Sequence, residues 1–233
     1  RPTDTVLEVG PGLGVLTGEL VRRVKKVLVV EKDRNLIPLL QREFHGQKNL
    51  QIIEGDILKF HLAKNLSGPY KVVANIPYYL TSKLFQYFLE QANRPQSLVL
   101  MVQKEVGERV VASPGQLSVL GLSVQVFAQA EIIATVSKNS FWPVPKVDSA
   151  ILKITPRRRP AEIRDERLFF RIIKVAFAGK RKQIQNTLAF GLKLSKEEVR
   201  KILDESGISS AARPQDLSIE EWVKLSQVVG SRE

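Results

Sequence analysis

The chain has 233 residues, 43% of them hydrophobic, with no cysteine, two histidines and a formal charge of +12 that lifts the isoelectric point to about 10.0. Disulfides, thiolate zinc sites and cysteine nucleophiles are excluded, and His45 and His61 lack ligand spacing, so no metal centre is expected. No apolar run approaches the roughly 18 to 20 residues that span a bilayer, so no membrane association is expected. The lack of cysteine fits a cytoplasmic location, the charge points to a polyanionic partner, and a monomer is expected.

Strand-like sequence begins within five residues of Arg1, and a further N-terminal segment is expected ahead of it. "TVLEVG" (5–10) is a short apolar run ended by glycine, and "VLTGELVRRV" (15–24) has helical spacing. "KVLVVEKD" (26–33) reads as a second buried strand and "NLIPLLQREF" (35–44) as a second helix. "LQIIEGD" (50–56) and "YKVVANIPYY" (70–79) follow as strands, then "SKLFQYFLEQA" (82–92) as a helix and "SLVLMVQ" (97–103) as a fifth strand. Continuous apolar strands alternating with helices predict a doubly wound α/β sheet, mostly parallel and covered on both faces. "EIIATVS" (131–137) and "VDSAILKI" (147–154) are joined by a short segment holding two prolines, too short for a crossover helix, so the sheet should end in an antiparallel strand.

"TPRRRPAEIRD" (155–165) reads as a linker. Beyond it, helices are predicted at 165–178, 181–190, 196–206 and 218–229, punctuated by Gly179, Gly191, Gly207 and Pro214. Ser195 with Glu198 and Ser218 with Glu221 have capping-box spacing. The division expected is a Rossmann-like sheet domain over 1–155 and a small all-helical domain over 156–233. Residues 156–192 carry ten Lys/Arg against three acids, and 193–233 carry seven against eight. The positive excess in the helical part is therefore local, and Arg157, Arg158, Arg159, Lys180, Arg181 and Lys182 are the candidate polyanion contacts.

"EVGPGLG" (Glu8 to Gly14) separates the first strand from the first helix. Its glycines, Gly10, Gly12 and Gly14, fall one residue short of the dinucleotide fingerprint, and Pro11 removes an N–H that a pyrophosphate would use. A tight structural turn is the plain alternative. Glu31 ends the second strand, where a carboxylate can accept both hydroxyls of a ribose. Asp56, with Ile57 after it, ends the third, where it could accept an exocyclic amine. Acceptors at three successive strand ends describe a pocket for an adenosine without phosphates, such as that of S-adenosylmethionine, in preference to a nicotinamide dinucleotide. Asn75 opens "NIPYY" at the fourth strand end. Its amide oxygen, with the Ile76 or Pro77 carbonyl, could hold both hydrogens of an adenine N6 amine and aim the nitrogen lone pair at a methyl donor. Tyr78 would stack on that base.

"LEVGPGLGVLT", Glu31, "GD" at 55–56, "NIPYY", "SFWPVPKVDSAILKI" and "FAGKRKQIQNTL" together resemble the ribosomal RNA adenine dimethyltransferases over nearly the whole chain. The resemblance implies a class I methyltransferase sheet with a helical C-terminal domain, and S-adenosylmethionine as methyl donor. It implies that Glu8, Gly10, Gly12, Glu31, Asp56, Ile57 and Asn75 bind the cofactor. By the same resemblance Asn75, Pro77, Tyr78 and Phe141 hold the target base, and the helical domain binds RNA. A further cofactor motif stands upstream of the glycine loop in that family, and this chain starts after it.

"PKVDSA" with Asp148, "FAGKRKQIQNTL" and "RPQDLSIEEWVKLS" are similar to the subgroup that dimethylates two adjacent adenines near the 3′ end of small-subunit rRNA, acting on the RNA or the 30S precursor. Two alternatives stand beside it: the subgroup that modifies large-subunit rRNA and confers macrolide resistance, and a non-catalytic nucleic-acid-binding factor on the same fold. Cytosine C5 methylation needs a cysteine nucleophile and is excluded.

Overall fold

The computed structural model describes residues 1–76, 80–158, 162–179 and 181–232, with nothing taken from the side chain of Ala63. The chain forms two compact units, Arg1–Gly107 with Ala128–Pro156, and Glu108–Phe127 with Arg157–Glu233. The boundary at 156 lies one residue beyond the sequence division. The segment 108–127, assigned by sequence to the sheet domain, groups instead with the helices.

In the first unit the strands are β1 (Thr5–Val9), β2 (Lys26–Glu31), β3 (Leu50–Glu54), β4 (Lys71–Asn75), β5 (Ser97–Gln103), β6 (Ala128–Val136) and β7 (Ser149–Pro156). They form one sheet in the order β3-β2-β1-β4-β5-β7-β6. The first five are parallel, and β7 enters antiparallel between β5 and β6. Strand order reverses between β1 and β4, the switch point at which open α/β sheets hold ligands beyond their carboxyl ends. Val27, Leu28 and Val29 of β2 are fully buried, as are Val72 of β4 and Leu98, Leu100 and Val102 of β5. That is the burial the unbroken apolar runs predict.

Helices α1 (Val15–Val21), α2 (Leu36–Glu43), α3 (Leu62–Asn65) and α4 (Thr81–Glu90) complete the crossovers. Helix α5 (Lys104–Val111) follows β5 without an intervening loop, and α6 (Val119–Gln125) starts at Ser118, whose hydroxyl accepts the Gly121 amide at 3.0 Å. Neither was read from the sequence. Gly107 interrupts the apolar spacing of α5 for a packing reason. A Cβ there would sit 3.2 Å from Ala150 Cβ, so the helix lies directly on the sheet.

The sequence ends the last strand at 154 and gives Thr155 to the linker, but β7 runs to Pro156, opposite Ala128. Proline is tolerated because pairing with β5 stops at Ile154, so its missing N–H interrupts no ladder on that side.

The second unit carries α7 (Glu166–Phe177), α8 (Ile184–Leu192), α9 (Lys196–Ser206) and α10 (Ile219–Gly230). Asp165 accepts the Arg167 and Leu168 amides at the start of α7, and both expected capping boxes form, Ser195 with Glu198 and Ser218 with Glu221. Gly191 does not end a helix as its type suggests. It lies inside α8, where a side chain would collide with Val175 of α7. Lys193, at φ 58°, makes the left-handed stop instead. Trp222 is fully buried and stacks on Phe177 at 6.0 Å between ring centres. No helix among the described residues is long and apolar enough to cross a membrane.

Candidate active site

The glycine loop leaves β1 with Gly10, Gly12 and Gly14 at φ 64°, 59° and 85°, angles that side-chain-bearing residues seldom adopt. The Gly10 amide donates to the Val30 carbonyl at 3.0 Å, and the Gly55 amide to the Glu31 carbonyl at 2.7 Å, so the first three strand ends are tied together. Register does the rest. Val9 pairs with Val30 and Glu8 with Val73, so the next level up brings Gly10 beside Glu31, and Asn75 stands two residues past Val73 just as Gly10 stands two past Glu8. Asp56 lies two residues beyond Glu54, the partner of Glu31. Gly10, Glu31, Asp56 and Asn75 thus share the carboxyl edge of the sheet.

Each carboxylate is held. Glu31, nearly buried, accepts the Gly12 amide at 3.4 Å on one oxygen and the Asp33 amide at 2.8 Å on the other. A carboxylate has about four lone-pair sites, so both oxygens keep capacity for a ligand's hydroxyls. Asp56 accepts the Leu58 amide at 3.0 Å on one oxygen and Lys32 Nζ at 3.1 Å on the other. Those two bonds, Lys32 first, hold its carboxyl below the usual carboxylate range and keep it charged. Ile57 is buried as the first residue of the short 3₁₀ turn that Asp56 caps.

Glu8 is different. Its side chain is buried on β1 and accepts the Thr17 hydroxyl of α1 at 2.6 Å. Burial pushes its carboxyl up to about 7, against the Thr17 bond, which favours the charged form. It bridges the two ends of the glycine loop from beneath.

A ligand of the expected kind has room here. Cβ atoms built on Gly10, Gly12 and Gly55 meet nothing within 4 Å. Beside the loop, Leu13 and Val15 are 74% and 84% exposed, an apolar lip that sequence reading did not single out. Thr17 and Lys32 also went unread, because their roles arise from contacts across neighbouring elements.

Asn75 ends β4 exposed, with Ile76 buried behind it. Pro77 and Tyr78 lie outside the described residues, as do Arg159 and Lys180. Phe141 is half-buried at the close of the 3₁₀ turn Lys138–Ser140, and Trp142 beside it is 94% exposed, so Trp142 is not a packing residue. Asp148 anchors this loop. Its carboxylate accepts the Lys138 amide at 3.0 Å, and its carbonyl accepts the Lys104 amide at 2.9 Å.

In the second unit Arg157, Arg158, Arg181 and Lys182 are all exposed. Among the described residues no group of three or more His, Asp or Glu has the arrangement of a metal site.

The family model described as ribosomal RNA adenine dimethylase matches residues 1–230. The chain is 44% identical over 230 residues to the ribosomal RNA small subunit methyltransferase A of Dehalococcoides mccartyi, covering 97% of this chain and 78% of that protein. It is 43% identical over 232 residues to the enzyme of the same name from Desulfitobacterium hafniense, covering 98% and 83%. Among solved structures, a dimethyladenosine transferase from Plasmodium falciparum superposes with a TM-score of 0.80 at 26% identity, over 97% of this chain and 89% of that one. The 23S rRNA methyltransferase ErmE superposes with a TM-score of 0.74 at 28% identity, over 99% and 92%.

Proposed function

Since the chain belongs to the ribosomal RNA adenine dimethylase family, we propose that it methylates two adjacent adenines near the 3′ end of small-subunit rRNA at N6, giving N6,N6-dimethyladenosine. The observation that carries this reading is Asn75, set level with Gly10 on the neighbouring strand, as Glu31 is on the other side, at the sheet edge that would hold a methyl donor. The relatives at 43–44% identity act, by name, on the small subunit, whereas the solved large-subunit enzyme shares 28%. That difference favours the small-subunit substrate over the resistance-type reaction.

S-adenosylmethionine, when bound, supplies an electrophilic methyl group on a sulfonium. The open space over Gly10, Gly12 and Gly55, the two-oxygen acceptor Glu31 and the charged Asp56 fit its adenosine. Glu31 would accept the two ribose hydroxyls and Asp56 the adenine amine, with Lys32 yielding or sharing one oxygen. Ile57 would pack on the ring.

The target nitrogen needs help because its lone pair is delocalised into the base. Asn75 would accept one N6 hydrogen through its side-chain oxygen, and the Ile76 or Pro77 carbonyl would accept the other. Both bonds localise the lone pair and direct it. Tyr78 and Phe141 would clamp the base between them. Positioning of this kind supplies much of the acceleration without a side-chain base of shifted pKa. Arg157, Arg158, Arg159, Lys180, Arg181 and Lys182 would meet RNA phosphates, with the protein working as a monomer in the cytoplasm on rRNA or its 30S precursor.

The test is transfer of labelled methyl groups to small subunits lacking the modification, followed by nucleoside analysis. N6,N6-dimethyladenosine at two neighbouring small-subunit positions is expected. Label confined to large-subunit rRNA points to the resistance-type reaction, and RNA binding without any label to a non-catalytic factor.

A further inference from the structure

Between Asp56 and the target-base motif the chain changes its charge. Residues 57–89 contain four lysines and no aspartate or glutamate. One of the four, Lys71, is committed at the amino end of the sheet, where its Nζ lies 2.6 Å from Asp4. The other three, Lys59, Lys64 and Lys83, have exposed side chains and make no ion pair among the described residues.

Two of them share a groove. Lys59, His61 and Lys64 line one side of a cavity of about 410 Å³ whose far wall is Tyr87 and Gln91, and no carboxylate lines it. The Tyr87 hydroxyl donates to the Phe60 carbonyl and pins the 57–65 segment to α4. Lys83 and Tyr87 are four apart on α4, so they share one face of it, and Gln91 is the extended residue that ends the helix. The wall therefore continues past Tyr87 to Lys83, toward the first residue of the helix, Thr81, six positions after Asn75. The groove thus begins beside the Asp56 turn and climbs toward the motif that would hold the target adenine.

The charge of Asp56 partly compensates Lys59, but no carboxylate lines the groove itself, and like charges along it repel, which is a poor arrangement for stability alone. A solvated face would mix signs, as the cavity at the amino end of the sheet does with Asp4 and Lys71. An anion with evenly spaced charge removes the conflict. We propose that this groove is a phosphate track for the RNA strand carrying the target adenine, with Lys59, Lys64 and Lys83 on successive backbone phosphates and His61 and Gln91 hydrogen-bonding along it. This rests on the RNA substrate proposed above. It adds a contact in the catalytic unit, separate from the cations of the helical unit. Such contacts position the strand and carry no sequence information.

The test is Lys59→Ala/Lys64→Ala/Lys83→Ala against the corresponding triple arginine variant, with filter binding to small-subunit RNA over a salt series and steady-state methylation. The alanine variant should lose about 0.7 in log–log salt slope per contact, roughly 2 in all, as for single-stranded RNA. Its KM for RNA should rise with kcat little changed, affinity for S-adenosylhomocysteine should not move, and the arginine variant should restore the slope. A parent-like slope and KM in the alanine variant overturns the track while leaving the rRNA reading intact. A fall in kcat at unchanged KM overturns it too, since a phosphate contact acts on binding. A parent protein that neither binds nor methylates small-subunit RNA removes both proposals together.

Discussion

The two units hold their functional side chains in opposite ways. At the carboxyl edge of the sheet each acid is fixed by a bond to a neighbouring element: Glu8 to Thr17, Glu31 to Gly12 and Asp33, Asp56 to Leu58 and Lys32. In the helical unit the scaffold is fixed, by caps and by Trp222 on Phe177, while Arg158, Arg181 and Lys182 stand out in solvent. The difference matches the chemistry asked of each. Methyl transfer fails when reacting atoms are misplaced by about an ångström, whereas a phosphate is satisfied by a cation on a flexible stem. On the proposed function, precision is built where the methyl group would be transferred, and charge alone where RNA would be gripped.

The largest effect should come from breaking the helical scaffold. Trp222→Ala empties a fully buried site and should cost about 3–5 kcal/mol in urea unfolding. Trp222→Phe should cost much less, because it keeps most of the buried ring volume and gives up only an indole N–H that has no partner among the described residues. If the comparison holds, calorimetry on folded Trp222→Phe protein gives the parent's affinity for S-adenosylhomocysteine.

Next is Asn75→Ala, which removes the acceptor proposed for the reacting nitrogen. A hundred- to thousandfold fall in methyl transfer is expected, or about 2.7–4 kcal/mol, with RNA retention on filters nearly unchanged. Turnover close to the parent's would mean that the precision of the sheet edge is not used by the chemistry.

Glu8 sharpens the comparison through pH. Its carboxyl is raised from 4.5 to about 7 in the folded protein, so the native state holds that proton more tightly than the unfolded chain. Stability from this group is greatest below pH 4.5, falls as pH rises from there to 7, and is level above. The loss is about 3 kcal/mol at most, at 1.36 kcal/mol per pKa unit. Glu8→Gln keeps an acceptor for Thr17 and should lack this slope when urea midpoints are compared across pH 4.5 to 8. Parallel profiles for the two proteins would show that Glu8 ionises freely where it is.

How much of this could be read in advance follows the same divide. All the strands of the sheet were legible because buried parallel strands are unbroken apolar runs. Helices α7 to α10 were legible from the helical pattern between Gly and Pro breaks, most sharply α9 and α10, where Ser195 and Ser218 open capping boxes. Helices α5 and α6 were not, since Gly107 and Gly121 break their apolar spacing and each glycine exists for close packing. At the site, Glu31, Asp56 and Asn75 were visible as polar residues closing apolar strands, and Gly10 as the start of a glycine-rich loop. Thr17 and Lys32 were invisible, because nothing local says that a threonine on α1 will bond Glu8 or that Lys32 will reach Asp56. The groove at Lys59 was missed for a related reason: its far wall comes from α4, more than twenty residues away.

If cofactor and RNA are held by separate machinery, one paired measurement shows it. Glu31→Ala and Arg181→Ala/Lys182→Ala are each titrated with S-adenosylhomocysteine in a calorimeter and with small-subunit RNA on filters over a salt series. Glu31→Ala should lose roughly 1.5–3 kcal/mol of cofactor affinity, the worth of charge-assisted hydrogen bonds, and keep the parent's RNA binding. The double variant should keep its cofactor affinity and lose about 0.7–0.9 in salt slope per phosphate contact. Loss of both affinities in either variant, or of neither in both, would contradict the account.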